Sequence, residues 1–212
     1  MSKDKIIAPV ETPTDWVSNL VVVKKTNNKL RLCLDPKDLN KAIRRPHYHM
    51  PTIEDMAPDL TKAKVFTVVD VKDGFWQVKL SEKSSYYTTF NTPYGRYRWL
   101  RMPFGICSAS EEFQRRINTA LEGLPGVKVI VDDILIYGKG DDIEEANRDH
   151  DRNLIALLKR LRYHNIKLNP DKIKFKLKEV SYMGHLLTEN GLKVDPLKLK
   201  SLDLIQPPKN IK

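Results

Sequence analysis

Three carboxylates in two short apolar runs are the residues of this sequence best suited to chemistry. Asp132 and Asp133 stand side by side inside Val127–Tyr137, with aliphatic and β-branched residues on both sides, and Asp70 closes the apolar run that begins at Val65. Such runs read as buried strands. The polar break at Asp132-Asp133 reads as the turn of a tight hairpin, where Asp tolerates left-handed backbone angles. A solvated turn would account for an Asp-Asp pair taken alone. On a buried hairpin, however, two adjacent anions repel and burial raises the cost of their charge, and a bound cation removes both problems. Strand ends carrying Asp70 and Asp132-Asp133, brought together in one sheet, would cage two divalent cations about 4 Å apart, the arrangement that clamps the attacking and leaving oxygens of a phosphoryl transfer. Asp73, followed by Gly74, reads as a cap leading from the Asp70 strand into a short helix.

The elements that must position these groups follow from pattern and punctuation. Leu20–Lys25 and Lys29–Leu34 form a basic hairpin about Asn27-Asn28, and Pro36–Lys41 makes one helical turn. Thr52–Leu60 is a short helix capped by Thr52 and limited by Pro58. After the Asp70 strand, Tyr86–Asn91 and Gly95–Arg101 form a hairpin about Thr92–Gly95. Met102–Cys107 is a loop, and Ser108 with Glu111 fits a capping box. The helix so opened shows Phe113, Ile117, Ala120 and Leu121 on one face and stops at Gly123. Asp142 with Glu145 opens a longer helix, its core stripe Leu154, Leu157, Leu158 and Leu161, with Asn165 as C-cap. Lys167–Leu177 crosses back, and Val180–Leu187 pairs with Leu192–Val194 about Asn190-Gly191. Helices and strands are mixed without strict alternation, which favours an α+β fold with an antiparallel sheet packed on helices.

Composition narrows the partners. The chain has 212 residues, is 41% hydrophobic and carries a formal charge of +10. That suffices for one core, or for one domain with a satellite, and favours a polyanion, nucleic acid first. The charge is blocked: residues 24–45 hold eight Lys/Arg against two acids, and residues 159–200 eleven against four, while 141–151 hold six acids and one Arg. Two basic regions about a carboxylate centre suit a polymer threaded past a site. Cys33 and Cys107 form no disulfide framework or zinc motif and read as buried thiols of a reducing compartment. Neither a membrane span nor a signal peptide is present, and the loop-like ends suggest a segment of something longer.

These residues also carry a family resemblance. Val-Val-Asp-x-x-x-Gly-Phe-Trp-Gln (68–77), Arg-Met-Pro-Phe-Gly-Ile (101–106) with Phe113-Gln114, and Val-Asp-Asp-Ile-Leu (131–135) resemble motifs A, B and C of reverse transcriptases, more narrowly those of Ty3/gypsy-like LTR retrotransposons. Lys29–Lys41, Leu168–Lys172 and Tyr182–His185 resemble a fingers motif, a Leu-Asn-Pro-x-Lys motif and a primer grip, so that the likeness runs nearly the full length. It implies a right-hand polymerase with β-hairpin fingers (1–44 and 78–103), palm (45–77 and 104–194) and, over 195–212, the start of a truncated thumb or linker. The implied activity is RNA-directed DNA polymerisation on an RNA or DNA template–primer, with two Mg²⁺ ions that Mn²⁺ can replace. A domesticated copy that binds nucleic acid without polymerising would keep the same pattern.

Residue by residue, the resemblance makes Asp70, Asp132 and Asp133 the catalytic metal ligands, Asp133 the weaker. Lys24, Arg31, Asp73, Gly74, Phe75, Phe104 and Gly105 fall at dNTP-binding positions, with Lys25 an alternative to Lys24 and Phe75 at the steric gate against the 2′-hydroxyl. Plain core packing is the other reading of Phe75. Asn40, Gln114, Tyr182, Met183 and Gly184 fall at template–primer positions. Lys172 matches a lysine proposed as proton donor to pyrophosphate, and otherwise reads as a solvated cation. Ile130, Val131 and Ser110 depart from common residues of the family without touching the carboxylates. The likeness further implies a polyprotein with RNase H and integrase regions, working inside the cell in the cytoplasm, within a virus-like particle where the element is active.

Overall fold

In chain order the protein lays down a strand β1 (Ile7–Val10), a hairpin of β2 (Asn19–Lys24) and β3 (Leu30–Asp35), and a helical turn α1 (Lys37–Ala42). Next come α2 (Ile53–Met56), a 3₁₀ turn (Ala57–Leu60) and β4 (Ala63–Asp70). Then follow α3 (Gly74–Gln77), α4 (Glu82–Tyr87), β5 (Phe90–Thr92), β6 (Gly95–Trp99) and α5 (Ala109–Leu121). The last part holds β7 (Val127–Ile130), β8 (Asp133–Lys139), α6 (Ile143–Tyr163), a 3₁₀ turn (Pro170–Lys172), β9 (Lys174–Leu177), β10 (Val180–Tyr182), β11 (His185–Thr188) and β12 (Gly191–Val194). This computed structural model describes residues 1–24, 28–196 and 198. Lys25 and Asn27 lie outside the described residues, as does most of the stretch 195–212.

The contacts divide the chain into two units, Met1–Met50 with Asp73–Ile117, and Pro51–Lys72 with the part from Asn118 onward. In the second unit β7, β8, β4 and β9 form an antiparallel sheet in that order. An interior strand covered on both faces needs no polar alternation, and β4 is buried along almost its whole length. Phe66 and Val68 face a core of Ile53, Met56, Leu135, Tyr137, Val180 and Leu187. Thr67, pointing the other way as strand geometry requires, meets α6. Thr52 caps α2 with a reciprocal bond to Asp55, as its sequence suggests.

Helix α6 starts where expected, with the Asp142 side chain accepting from the Glu145 N–H at 2.7 Å. Its buried face differs from the expected leucine stripe. Ala146, His150, Asn153, Leu157 and Leu161 turn inward, whereas Leu158 is 46% exposed. The helix is rotated because the sheet satisfies its polar residues: His150 Nε2 bonds Thr67 Oγ1 at 2.8 Å, and Asn153 Nδ2 donates to the Tyr137 carbonyl at 3.0 Å. Gly138 lets the helix come this close, since a Cβ there would lie 2.0 Å from the Ala146 carbonyl oxygen.

In the first unit β1, β6 and β5 form one antiparallel sheet and β2 and β3 a separate hairpin. Leu34, Phe90 and Trp99 make its core with Leu20, Leu32, Trp76 and Leu80. Tyr86 and Tyr87, expected in a strand, close the helix α4, because the Ser81 hydroxyl accepts from the Ser84 N–H and starts a helical turn; the strand begins only at Phe90. Of the two cysteines expected in the core, Cys33 is half-buried and Cys107 exposed, the latter because it lies in the surface loop before α5.

Two turns fall elsewhere than expected. Val180–Leu187 is broken at Met183 and Gly184, which take φ of 48° and 75° and fold β10 onto β11 with Tyr182 opposite His185. Thr188 pairs with Gly191, so the next loop is Glu189-Asn190 and not Asn190-Gly191.

Candidate active site

The second unit brings the acids together through the sheet itself. Asp70 is the last residue of β4 and Asp133 the first of β8, and the two are direct partners across the ladder. Asp133 also pairs with Ile130 of β7, so the hairpin turn is Val131-Asp132 and not the expected Asp132-Asp133. The turn is shifted because Val131 takes the left-handed position, with φ of 53°. That angle suits the first central residue of a primed hairpin turn but is strained for a β-branched side chain. Asp132 is anchored by its backbone, its carbonyl accepting from the Val71 N–H at 2.7 Å.

The electrostatics of the cluster are unbalanced. Asp70 is buried, and its Oδ2 receives the Lys172 ammonium at 2.6 Å. That bond holds the ammonium above the usual lysine range. Burial, and after it the charges of Asp132 and Asp70, push the Asp133 carboxyl above the ordinary carboxylate range. Tyr182 donates its hydroxyl to the Asp133 carbonyl at 2.9 Å and tucks its ring into the core. Burial raises its phenol, which fits a residue that holds β8 rather than one that exchanges protons. Val68, Asp70, Asp133, Lys172, Lys174 and Met183 help line a cleft of about 390 Å³.

A metal finds suitable donors here but not a finished shell. Among the described residues no group of three His, Cys, Asp or Glu side chains is gathered closely enough to hold an ion. The donors are nonetheless hard carboxylate oxygens, which suit Mg²⁺. Asp133 carries a repulsion that a cation would relieve, and Lys172 already sets a positive charge against Asp70. The residues therefore fit a divalent cation that takes its remaining oxygens from bound ligands.

The first unit, taken by itself, carries a face built from rings. Phe75, on α3, lies 4.9 Å from the Phe104 ring and 5.7 Å from Phe113 of α5, centroid to centroid. The Arg31 guanidinium, on β3, lies over the Phe104 ring, 4.6 Å from its centroid. Gly105 (φ 107°) brings its loop against β3 so closely that a Cβ would meet the Leu34 carbonyl oxygen at 1.9 Å, and the Leu34 N–H donates to the Phe104 carbonyl at 2.8 Å. Gly74 is backed by the Phe113 ring. Asp73 occupies the cap position of α3 but makes no side-chain cap bond; it takes φ of 48°, which turns the chain and leaves the carboxylate exposed.

With both sites described, comparison with known proteins decides the family. Residues 22–187 match the family described as reverse transcriptase (RNA-dependent DNA polymerase). The chain belongs to the reverse transcriptase family. Among curated relatives it is 34% identical over 206 residues to the retrovirus-related Pol polyprotein from transposon gypsy, and 32% identical over 212 residues to that from transposon 412, both of Drosophila melanogaster. Those alignments cover 94% and 96% of this chain but 19% and 16% of the relatives, so the chain spans under a quarter of their length. Among solved structures, a foamy viral protease–reverse transcriptase in complex with double-stranded DNA superposes with a TM-score of 0.86, covering 98% of this chain and 35% of that one at 21% identity. A foamy viral protease–reverse transcriptase in complex with an RNA/DNA hybrid gives 0.82, with 98% and 27% covered at 21% identity. The fold is thus that of a reverse transcriptase.

Other residues of this reverse transcriptase fold serve the site in ways their sequence motifs hide. Asn40, expected at the template, clamps the 105–107 loop: its Nδ2 donates to the Gly105 carbonyl at 2.9 Å and its Oδ1 accepts from the Cys107 N–H at 3.0 Å. Gln114, expected to touch template, is 0% exposed. Glu111, expected to form a capping box with Ser108, is buried and receives the Arg45 guanidinium. Lys24 ends β2 with its side chain exposed, and Met183 stands exposed at its turn. Sequence reasoning missed the pinning of the Phe75 ring and the bond from Tyr182 to the Asp133 carbonyl. The aromatic pair Phe104 and Phe113 was the available signal for the first; nothing local signals the second.

Proposed function

We propose that this chain is the polymerase core of a Pol polyprotein and adds deoxynucleotides to a primer 3′-end on an RNA or DNA template. The observation that carries this reading is the ladder pairing of Asp70 with Asp133, with Asp132 in the adjoining turn. Three acids at neighbouring strand ends, one already raised by burial and then by its neighbours, have no evident structural purpose without a cationic ligand. On this reading Asp70, Asp132 and Asp133 hold two Mg²⁺ ions, which when bound activate the primer hydroxyl and neutralise the triphosphate. Arg31 and Lys24 meet the phosphates, the guanidinium of Arg31 being oriented by Phe104. Backbone N–H groups at Asp73 and Gly74 border the nucleotide, and the Phe75 ring lies under its sugar. Met183 and Gly184 carry the primer end. Phe104 and Gly105 shape the pocket edge.

On this reading fingers (1–44 and 78–103) fall within the first unit, and palm (45–77 and 104–194) takes in the second unit together with residues 45–50, 73–77 and 104–117 of the first. The foamy viral relative is described with double-stranded DNA and with an RNA/DNA hybrid, which supports a template–primer partner tracked by its backbone and bound more weakly as salt rises. RNase H and integrase regions in the same polyprotein, and a cytoplasmic setting, belong to this reading. Among the described residues no helix is long and apolar enough to cross a membrane.

Primer extension tests the proposal. The 212-residue chain, and a version lengthened by the segment that follows it in a Pol polyprotein, are given a labelled primer on RNA and on DNA with all four dNTPs. Extension that needs Mg²⁺ and stops in EDTA is expected, faster for the longer version. No extension by either version on either template would overturn it.

A further inference from the structure

Lys172 is held near Asp70 by more than its own side chain. The segment carrying it is stitched to β4 and its extension on both sides. Ahead of it, the Lys72 N–H donates to the Lys167 carbonyl and the Asn169 N–H to the Asp70 carbonyl, each at 2.9 Å. Behind it, Val68 pairs with Lys174, and the Lys176 N–H donates to Thr67 Oγ1 at 2.9 Å. The Lys176 ammonium is fastened in turn to Asp151 of α6 at 2.8 Å. The short 3₁₀ turn at Pro170–Lys172 is capped by Asn169. With the backbone fixed at both ends, the reach of Lys172 is set by the fold.

The two partners differ in what they need. The Asp70 side chain is 9% exposed and has little water to turn to, whereas Lys172 is 61% exposed and can leave for solvent. A buried carboxylate without a counter-charge is costly. A cation arriving at Asp70 would meet a like charge on the oxygen it must share.

We propose that Lys172 is the resident counter-ion of Asp70: its ammonium holds the carboxylate in the metal-free protein, competes with a divalent cation for the same oxygen, and is released into the cleft when the cation binds. This rests on the two-cation reading above and adds a cost and a consequence to it. Metal affinity is lowered by the pair that must break. The freed ammonium then faces the cleft that Lys174 also lines, where an anionic group gains a partner only once metal is in place. Cation and anion binding are thereby linked, each raising the other's affinity by the same factor.

The test reads metal binding directly. Mn²⁺ is titrated into the 212-residue chain and its free concentration followed by electron paramagnetic resonance, with no substrate present. Relieving the competition and the like-charge repulsion should let Lys172→Gln bind Mn²⁺ about five- to tenfold more tightly, and its melting temperature in EDTA should fall. Lys172→Arg keeps the charge and should keep the parent's affinity. Lys174 donates to the Ser181 carbonyl at 3.0 Å rather than to a carboxylate, so Lys174→Gln should tighten binding much less. Unchanged or weaker binding in Lys172→Gln overturns the inference, and so does equal tightening in Lys174→Gln, which would mean a diffuse field and no competition. Asp70→Asn separates the two levels. Parent binding that Asp70→Asn removes and Lys172→Gln leaves untouched overturns only the counter-ion; parent binding that Asp70→Asn leaves intact, or no binding at all, overturns the metal site with it.

Discussion

The cleft of the second unit is built from charge, and the face of the first from rings. Asp70, Asp132 and Asp133 are placed by backbone, through ladder pairing and the bond from Val71 to the Asp132 carbonyl. The side chains of Phe75, Phe104, Phe113 and Arg31 are held against one another, through ring contacts and a cation over a ring. A group held by its backbone can change chemistry without changing the fold. A group held by its neighbours cannot be altered without disturbing them. The two sites should therefore answer substitution differently, and that contrast can be tested.

The largest effect belongs to the charged site. Asp132→Asn removes a charge, keeps the shape and leaves the backbone anchor in place. On the proposed reading extension should drop by at least about a thousandfold, roughly 4 kcal/mol of transition-state stabilisation, with a melting temperature no lower than the parent's, since the repulsion on Asp133 is relieved. Single-turnover extension and thermal unfolding of the same preparation check it. Loss of fold alongside loss of activity would break the contrast, and activity within a few-fold of the parent would remove Asp132 from the chemistry.

The ring site should respond in both quantities at once. A 2′-hydroxyl against the Phe75 ring is crowded and lacks a hydrogen-bond partner, a penalty of about 1–3 kcal/mol before crowding is counted. Phe75→Val should raise ribonucleotide incorporation relative to deoxynucleotide by at least about tenfold. It should also cost about 1–2 kcal/mol of stability, since Phe104 and Phe113 lose the ring between them. Matched rNTP and dNTP extension beside urea unfolding gives both numbers. An unchanged selectivity ratio with the stability loss intact would make Phe75 a core residue only.

A smaller effect distinguishes the acids from one another. Asp133 has its carboxyl raised in the folded protein by burial and by Asp132 and Asp70. The folded state therefore holds its proton to higher pH than the unfolded chain does, and stability declines as pH climbs from the ordinary Asp value of 3.8 through the raised one. Asp133→Asn should melt a few degrees higher than the parent at neutral pH in EDTA while extending primers poorly, and the gain should vanish below about pH 4. A gain that persists in acid would come from packing and not from repulsion.

The sequence revealed the charges more readily than what holds them. A carboxylate at the end of an apolar run can be read one residue at a time, and Asp70, Asp132 and Asp133 were. The Thr52 and Asp142 caps and the face of α5 were legible for the same reason, since each is a local pattern with a local cause. The rotation of α6 was not, because His150 and Asn153 look solvent-facing until Thr67 and the Tyr137 carbonyl, distant in the chain, supply their partners. The burial of Gln114 and the bonds of Asn40 to the 105–107 loop were hidden for the same reason. The turn slipped by one residue because Asp is the usual occupant of a left-handed position, and here that position is imposed on Val131.

That slip supplies the smallest predicted effect. A left-handed backbone costs an L-residue about 1–2 kcal/mol, so Val131→Gly should recover much of it. Against this stand the greater chain freedom of Gly when unfolded, about 0.5–1 kcal/mol, and the loss of a side chain half-packed against the core around Ile130 and Leu135. The opposing contributions nearly cancel, and Val131→Gly should leave stability within about 1 kcal/mol of the parent in urea unfolding. Ile130→Gly, one residue earlier and buried in a strand, has no strain to recover and should cost about 3 kcal/mol or more. A loss in Val131→Gly as large as that in Ile130→Gly would show that the turn stores no strain. Extension by Val131→Gly separates a further point. If the carboxylates are placed by backbone alone, the bond from Val71 keeps Asp132 where it was and activity survives; if activity falls while stability holds, the stiffness of a β-branched residue in the turn is itself part of what aims Asp132.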